Sequence, residues 1–194
     1  TQCVIGKYEF NRLCKNCPAG YKNPLEGGTS CFPCPNGWIS NEANTECTEC
    51  DAGKYELNND CKDVFKPENK TALQDAVNGC IEDNDSNDYC DDWSAWDVSD
   101  VTDMSDLFED TDTFNEDISG WDVSSVTNME DMFYEASAFD QDISGWNVSS
   151  VTNMGAMLSY AEDFNQPLND WDVTKVTNMT GMFRDAKAFN QDIS

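Results

Sequence analysis

The sequence predicts small disulfide-stapled modules with little regular structure, followed by an α/β solenoid of 25-residue repeats behind a capping helix. Three observations predict it. The first eight cysteines fall before residue 62, in a stretch punctuated by Gly and Pro with almost no aliphatic run. All seven methionines fall after residue 103, and Trp96, Trp121, Trp146 and Trp171 stand 25 apart. Charge divides the same way: residues 1–61 carry 5 basic and 8 acidic side chains, and residues 62–194 carry 6 and 30. The expected divisions are Cys-rich modules over 1–61, a capping helix and acidic loop over 62–92, and the repeats over 93–194.

A stretch as poor in aliphatic residues as 1–61 cannot build an ordinary core, so covalent staples must supply its order. Three CxxC pairs occur, Cys14/Cys17, Cys31/Cys34 and Cys47/Cys50. Similar phrases follow them: Cys17-Pro-Ala-Gly-Tyr, Cys34-Pro-Asn-Gly-Trp and Cys50-Asp-Ala-Gly-Lys-Tyr. This resembles the ephrin-receptor-like and tumour-necrosis-factor-receptor-like cysteine-rich modules. Gaps of 10, 13, 12 and 10 residues between successive partners favour Cys3–Cys14, Cys17–Cys31, Cys34–Cys47 and Cys50–Cys61, although connectivity is not deducible from sequence alone. Zinc is the rival reading, because two CxxC knuckles together make a four-cysteine site. It leaves a third CxxC over and gives Cys3 and Cys61 no role. A redox CxxC lacks its βαβ context.

Residues 66–81 read as a helix, with Leu73, Ala76, Val77, Cys80 and Ile81 on one face. Pro67 and Asn69 supply start chemistry, and Thr71 with Gln74 has capping-box spacing. This helix sits where a solenoid needs an atypical end unit. Cys80 and Cys90 are expected to bridge across an acidic loop. That loop opens like a calcium loop at Asp83 and Asp85, but Asp88 replaces the Gly of position six and Ser94 the Glu of position twelve. A solvated acidic linker is the favoured reading.

The repeat keeps several columns in step: Val98/Val123/Val148/Val173, Val101/Val126/Val151/Val176, Met104/Met129/Met154/Met179 and Phe114/Phe139/Phe164/Phe189. Gln-Asp-Ile-Ser alternates like a strand, with Ile118, Ile143, Leu168 and Ile193 inward. Met129, Met132, Phe133 and Ala136 have helical spacing. The pattern predicts a strand on one side of each coil and a short helix on the other. One coil cannot bury enough by itself, so coils must stack. Repetition favours core packing over a Met-x-x-Met copper site. It also makes Asn128, Asn153 and Asn178 a buried ladder, and the tryptophans core before glycan platform. The phrase WDVSxVTxMxxMF resembles the BspA-like leucine-rich-repeat surface proteins over about residues 66–194. The resemblance implies a right-handed leucine-rich-repeat-like solenoid in a secreted or surface-anchored protein of adhesion and extracellular interaction, with no enzymatic residues to carry over. Pro167-Leu168-Asn169 and Leu158 depart from the written unit.

Composition limits function. The chain contains no histidine, so imidazole bases and ligands are excluded. A formal charge of −27 argues against nucleic acid or an anionic membrane as partner. No apolar run approaches the roughly 18 residues of a membrane span, and the opening Thr1-Gln2-Cys3 reads as a processed end. Cysteine usage points to an oxidising compartment, extracellular or cell-surface. The leading reading is a non-enzymatic structural or adhesive interaction protein, for instance a component of a surface filament or coat. Its expected partners are other extracellular proteins, glycans or copies of itself, and it requires no cofactor. The alternative is a calcium-dependent carbohydrate- or matrix-binding module using Asp117 and Asp142, stacked in neighbouring coils. A carboxylate-pair hydrolase is a third class, but no acidic pair breaks the repeat symmetry. N-glycosylation sequons occur at Asn69, Asn84, Asn147 and Asn178. Asn84 and Asn147 are the expected exposed acceptors, Asn69 a helix cap and Asn178 a ladder member. The final Phe189–Ser194 opens a further coil, so the array is expected to continue or to associate there.

Overall fold

A computed structural model describes residues 3–10, 13–25, 30–36, 38–52, 54–81 and 88–193. The chain forms two compact units, Thr1–Val64 and Phe65–Ser194.

The first unit is more regular than the sequence suggests. Its described residues form a series of four two-stranded antiparallel hairpins. They pair β1 (Lys7–Phe10) with β2 (Leu13–Asn16), β3 (Tyr21–Lys22) with β4 (Phe32–Pro33), β5 (Trp38–Ser40) with β6 (Cys47–Glu49), and β7 (Lys54–Leu57) with β8 (Asp60–Asp63). Backbone hydrogen bonds close the turns that enter three of the hairpins. Tyr21 N–H donates to the Pro18 carbonyl, Trp38 to Pro35 and Lys54 to Asp51. In the first of these turns Gly20 takes φ +75°, which a side chain would oppose. Hairpins are joined by polar side chains: Asn59 Oδ1 accepts from Gly20 N–H and from the Ser40 hydroxyl, and the buried Asn23 donates to the Lys7 carbonyl. The only large apolar burial here, among the described residues, is at Cys3 and Cys17.

In the second unit, α1 (Lys70–Ile81) starts four residues later than the apolar pattern suggests. Asn69 caps it, its Oδ1 accepting from Ala72 N–H at 3.1 Å. Gln74 forms no capping box; its amide donates instead to the Leu107 carbonyl. Leu73, Ala76 and Val77 are buried in the same core as the repeat columns. Two short 3-10 turns follow, Asp88–Asp91 and Trp93–Ala95.

The predicted α/β leucine-rich-repeat-like solenoid is not what the structure shows. Among the described residues none after Ala95 lies in a helix or a strand, every strand is in the hairpins, and α1 is the one α-helix. Each 25-residue unit is built from turns, and regular pairing shrinks to single parallel bridges, Asp103 to Asn128 to Asn153 to Asn178.

The reason lies in where the N–H groups go. Met129, Asp131, Phe133 and Glu135 donate to the carbonyls of Asn153, Gly155, Met157 and Ser159 in the next unit, each at 2.9 Å. The N–H groups between them close local turns, Met132 to Met129, Tyr134 to Asp131 and Ala136 to Phe133. Asp131 and Glu135, third in the turns 129–132 and 133–136, take φ +53° and +57°. The same positions recur at Asp106 and Asp110, Ala156 and Tyr160, and Gly181 and Asp185. A residue in this conformation cannot continue a right-handed helix. Met129, Met132, Phe133 and Ala136 are the first and last residues of two consecutive turns, and all are fully buried. Two four-residue turns thus reproduce helical spacing without a helix.

The Gln-Asp-Ile-Ser segments are likewise not strands. Ile118 and Ile143 do face the core, but side chains make the joint beside them. Gln141 donates to the Asn115 carbonyl at 2.7 Å, and Gln166 to that of Asp140 at 3.0 Å.

Ala156 offers a clean test of this backbone, since its φ is +47°. Ala156→Gly should stabilise the full chain by about 0.5–1 kcal/mol, because glycine tolerates that conformation. In a helix the same change costs about 1 kcal/mol. Urea denaturation gives the sign, and a loss would restore the helical reading.

Candidate functional site

Five disulfides are closed: Cys3–Cys14, Cys17–Cys31, Cys34–Cys47, Cys50–Cys61 and Cys80–Cys90. No cysteine is free, so none serves as a nucleophile or as a zinc ligand in this state. Each of the first four bridges closes a loop within the hairpin series. Cys80–Cys90 ties the end of α1 to the first 3-10 turn.

The repeat columns are structural. Trp96, Trp121, Trp146 and Trp171 are buried, and each indole N–H donates to a backbone carbonyl earlier in the chain. Stacking a ring on a glycan is therefore closed to them. Asn128, Asn153 and Asn178 are half-buried rather than buried. Asn128 donates to Asp103 Oδ1 at 3.1 Å and Asn178 to Asn153 Oδ1 at 2.8 Å. The buried methionines are enclosed by Phe and Val in one core.

What remains for partners is the outward surface. One column runs Asp97, Asp122, Asn147, Asp172, the residue after each Trp. Every member turns its side-chain oxygen back to residue i+2. Asn147 Oδ1 accepts from the Ser149 hydroxyl at 2.8 Å and from Ser149 N–H at 3.2 Å, and Asp172 holds Thr174 the same way. Asp117 and Asp142 are exposed and engage Ser119 and Ser144. They belong to turns rather than to the expected strand face. Asp83, Asp85 and Asn84 lie outside the described residues. Among the described residues no group of three or more acidic or cysteine side chains is placed to hold a metal ion.

Acidic crowding occurs on a face the repeat pattern did not single out. Burial first, then the neighbouring Asp106, Asp110, Asp131 and Glu135, raise the Glu109 carboxyl above its ordinary range. Burial, with Glu130 and Asp106, does the same to Asp131. The signal was present in composition: residues 71–174 contain 26 acidic side chains and no Lys or Arg. Basic residues from outside this stretch pair with acids near its ends. Lys66 pairs with Asp97 and Asp100, Lys70 with Asp106, and Lys187 with Glu162. Beside the acidic face lie Tyr134 and Tyr160, 5.7 Å apart edge to face, with Arg184 over the Tyr160 ring. At the last units, Val173, Met179 and Ile193 are exposed around an apolar recess of about 320 Å³.

These environments pull the pH dependence of stability in opposite directions. Hydroxyl hydrogen bonds from Ser99, Ser119, Ser124, Ser144 and Thr174 hold Asp97, Asp117, Asp122, Asp142 and Asp172 below the usual carboxylate range. Their contribution is present above the unfolded pKa and is lost as pH falls through the folded one. The raised Glu109 and Asp131 act oppositely: they disfavour the fold while charged, and that penalty disappears as pH falls through their folded pKa. Thermal melts should therefore rise as pH falls from neutral into the upper carboxylate range and fall again once pH passes below the usual carboxylate range. A decline that begins at pH 7 and never reverses would contradict the crowding.

Compared with known proteins, residues 71–194 match a family model described as Mycoplasma protein of unknown function, DUF285. No curated protein and no solved structure matches the chain.

Proposed function

From the premise that the chain belongs to this family, we propose that it is a non-enzymatic extracellular surface protein whose repeat unit presents a rigid, acidic face to structural or adhesive partners. The observation that carries the reading is the contrast between an apolar, ring-stacked interior and an outward surface with no basic residue from 71 to 174. Five disulfides support an oxidising location. No helix among the described residues is long and apolar enough to cross a membrane. An acidic face favours basic partner surfaces and repels like-charged ones, and such attraction weakens as salt screens it. The reading requires no cofactor and no catalytic residue.

Antibody labelling of intact, non-permeabilised source cells tests the location. Surface label is the expected result, and label only after permeabilisation would overturn it. Binding of the full chain to surface proteins of the same cells should fall between 50 and roughly 300 mM salt. Salt-independent binding would remove the acidic face from the proposal.

A further inference from the structure

Four units carry the same outward turn, and in one of them it is a sequon. The residues are Asp97-Val-Ser99, Asp122-Val-Ser124, Asn147-Val-Ser149 and Asp172-Val-Thr174. We propose that Asn147 is an N-glycosylation site, and that the turn and its exposure, rather than the sequon alone, make it one.

The Asn147 side chain is exposed. Its oxygen is held inward by Ser149, accepting from both the hydroxyl and the backbone N–H. Nδ2, the atom that becomes glycosylated, donates no hydrogen bond among the described residues. A glycan there breaks nothing. The hydroxyl that the sequon requires at i+2 already donates to the amide oxygen in this turn.

Asn178-Met-Thr180 satisfies the same sequence rule but occupies the opposite environment. Its Nδ2 donates to Asn153 Oδ1 at 2.8 Å in the inter-unit column. That nitrogen also sits 2.7 Å from where a Cβ on Gly155 would lie. A sugar on it would break the column and collide with the preceding unit at Gly155, so a chain modified there cannot complete the fold. Asn69 differs again: its oxygen caps α1 through Ala72 N–H and does not engage Thr71.

The transfer takes place in the compartment that also forms the disulfides. The donor is an oligosaccharide carried on a polyprenyl diphosphate. The Asn147 Nδ2–C1 bond forms at the anomeric carbon, and the C1–O bond to the diphosphate breaks. The diphosphate leaves with the electron pair, and Nδ2 gives one proton to base. No oxidant or reductant is involved. The modified face would be covered by sugar, which leaves the Asp106–Glu135 face as the exposed acidic surface.

The test is peptide-level mass spectrometry of the full chain secreted from a eukaryotic host, with enzymatic glycan release in heavy-oxygen water to mark occupied positions. Asn147 should be mostly occupied and Asn178 unoccupied, and Asn147→Gln should lose one glycan. Asp122→Asn creates Asn-Val-Ser in the same exposed turn and should gain one glycan at position 122. It keeps the oxygen that accepts from Ser124, so the fold is undisturbed. An unmodified Asn147, or a folded, secreted chain with sugar on Asn178, overturns the proposal. So does an Asp122→Asn chain that is secreted with position 122 bare.

Discussion

Phe139→Ala is expected to destabilise the repeat unit by about 3–5 kcal/mol, since a large buried ring leaves both lost transfer energy and a cavity. Phe139 is fully buried. Its ring centroid lies 3.9 Å from Phe133, 6.0 Å from Phe114 and 5.8 Å from Phe164, with interplanar angles of 11°, 12° and 3°. It therefore touches rings within its own unit and in the units on both sides. Phe189 occupies the same column position but is only half-buried. It stacks on Phe164 and Phe183 with no described ring beyond it. Phe189→Ala should cost well under half as much. Urea denaturation of both variants in the full chain measures the contrast. Equal losses, or a Phe139→Ala loss below about 1 kcal/mol, would mean that the stacked column is not what holds the units together.

Reduction is the second large effect, and it should be confined mainly to the first unit. Residues 3–63 bury no large aliphatic or aromatic side chain among those described. Four two-stranded hairpins cannot be stable alone in water. The bridges close loops with sequence separations of 11 to 14, each worth on the order of 3 kcal/mol through the unfolded state. With all four open, little is left to offset chain entropy. Hydrogen exchange on the full chain with and without reductant should show residues 7–63 losing protection. Residues 98–171, which depend on buried rings and inter-unit hydrogen bonds, should keep theirs. Some loosening is expected near Cys80–Cys90, which fastens α1. A reduced first unit that exchanges as slowly as the oxidised one would show a second source of order there.

Much of this architecture can be read directly from residue order. The 25-residue spacing names the inward columns, because any backbone that stacks such units must bury Trp121, Val126, Met129, Phe133 and Phe139 together. The helix, read over 66–81 and formed over 70–81, is legible because Leu73, Ala76 and Val77 meet on one face and Asn69 can cap it locally. The acidic outer surface follows from composition. None of these depends on which partner each backbone group finds.

The backbone path of the repeat does depend on it, and only the tertiary structure decided it. Apolar residues at i, i+3, i+4 and i+7 suit one helix or two successive turns equally well. A helix satisfies its own N–H groups, whereas the turns send alternate ones to the next unit, so the neighbouring unit must be present for the turns to win. Positive φ at residues as unlike as Glu135, Ala156 and Tyr160 is a cost that the local sequence gives no reason to bear. The regular hydrogen bonds from residues 129, 131, 133 and 135 to 153, 155, 157 and 159 offset it. The same holds for the Gln-Asp-Ile-Ser segment: alternation correctly turns Ile118 inward, but Gln141 and Asn115 side chains make the joint that a strand pair was expected to make. Residue order thus determined which side chains are buried, through periodicity, and the stacked neighbours determined the backbone that buries them, through the hydrogen bonds only they can accept.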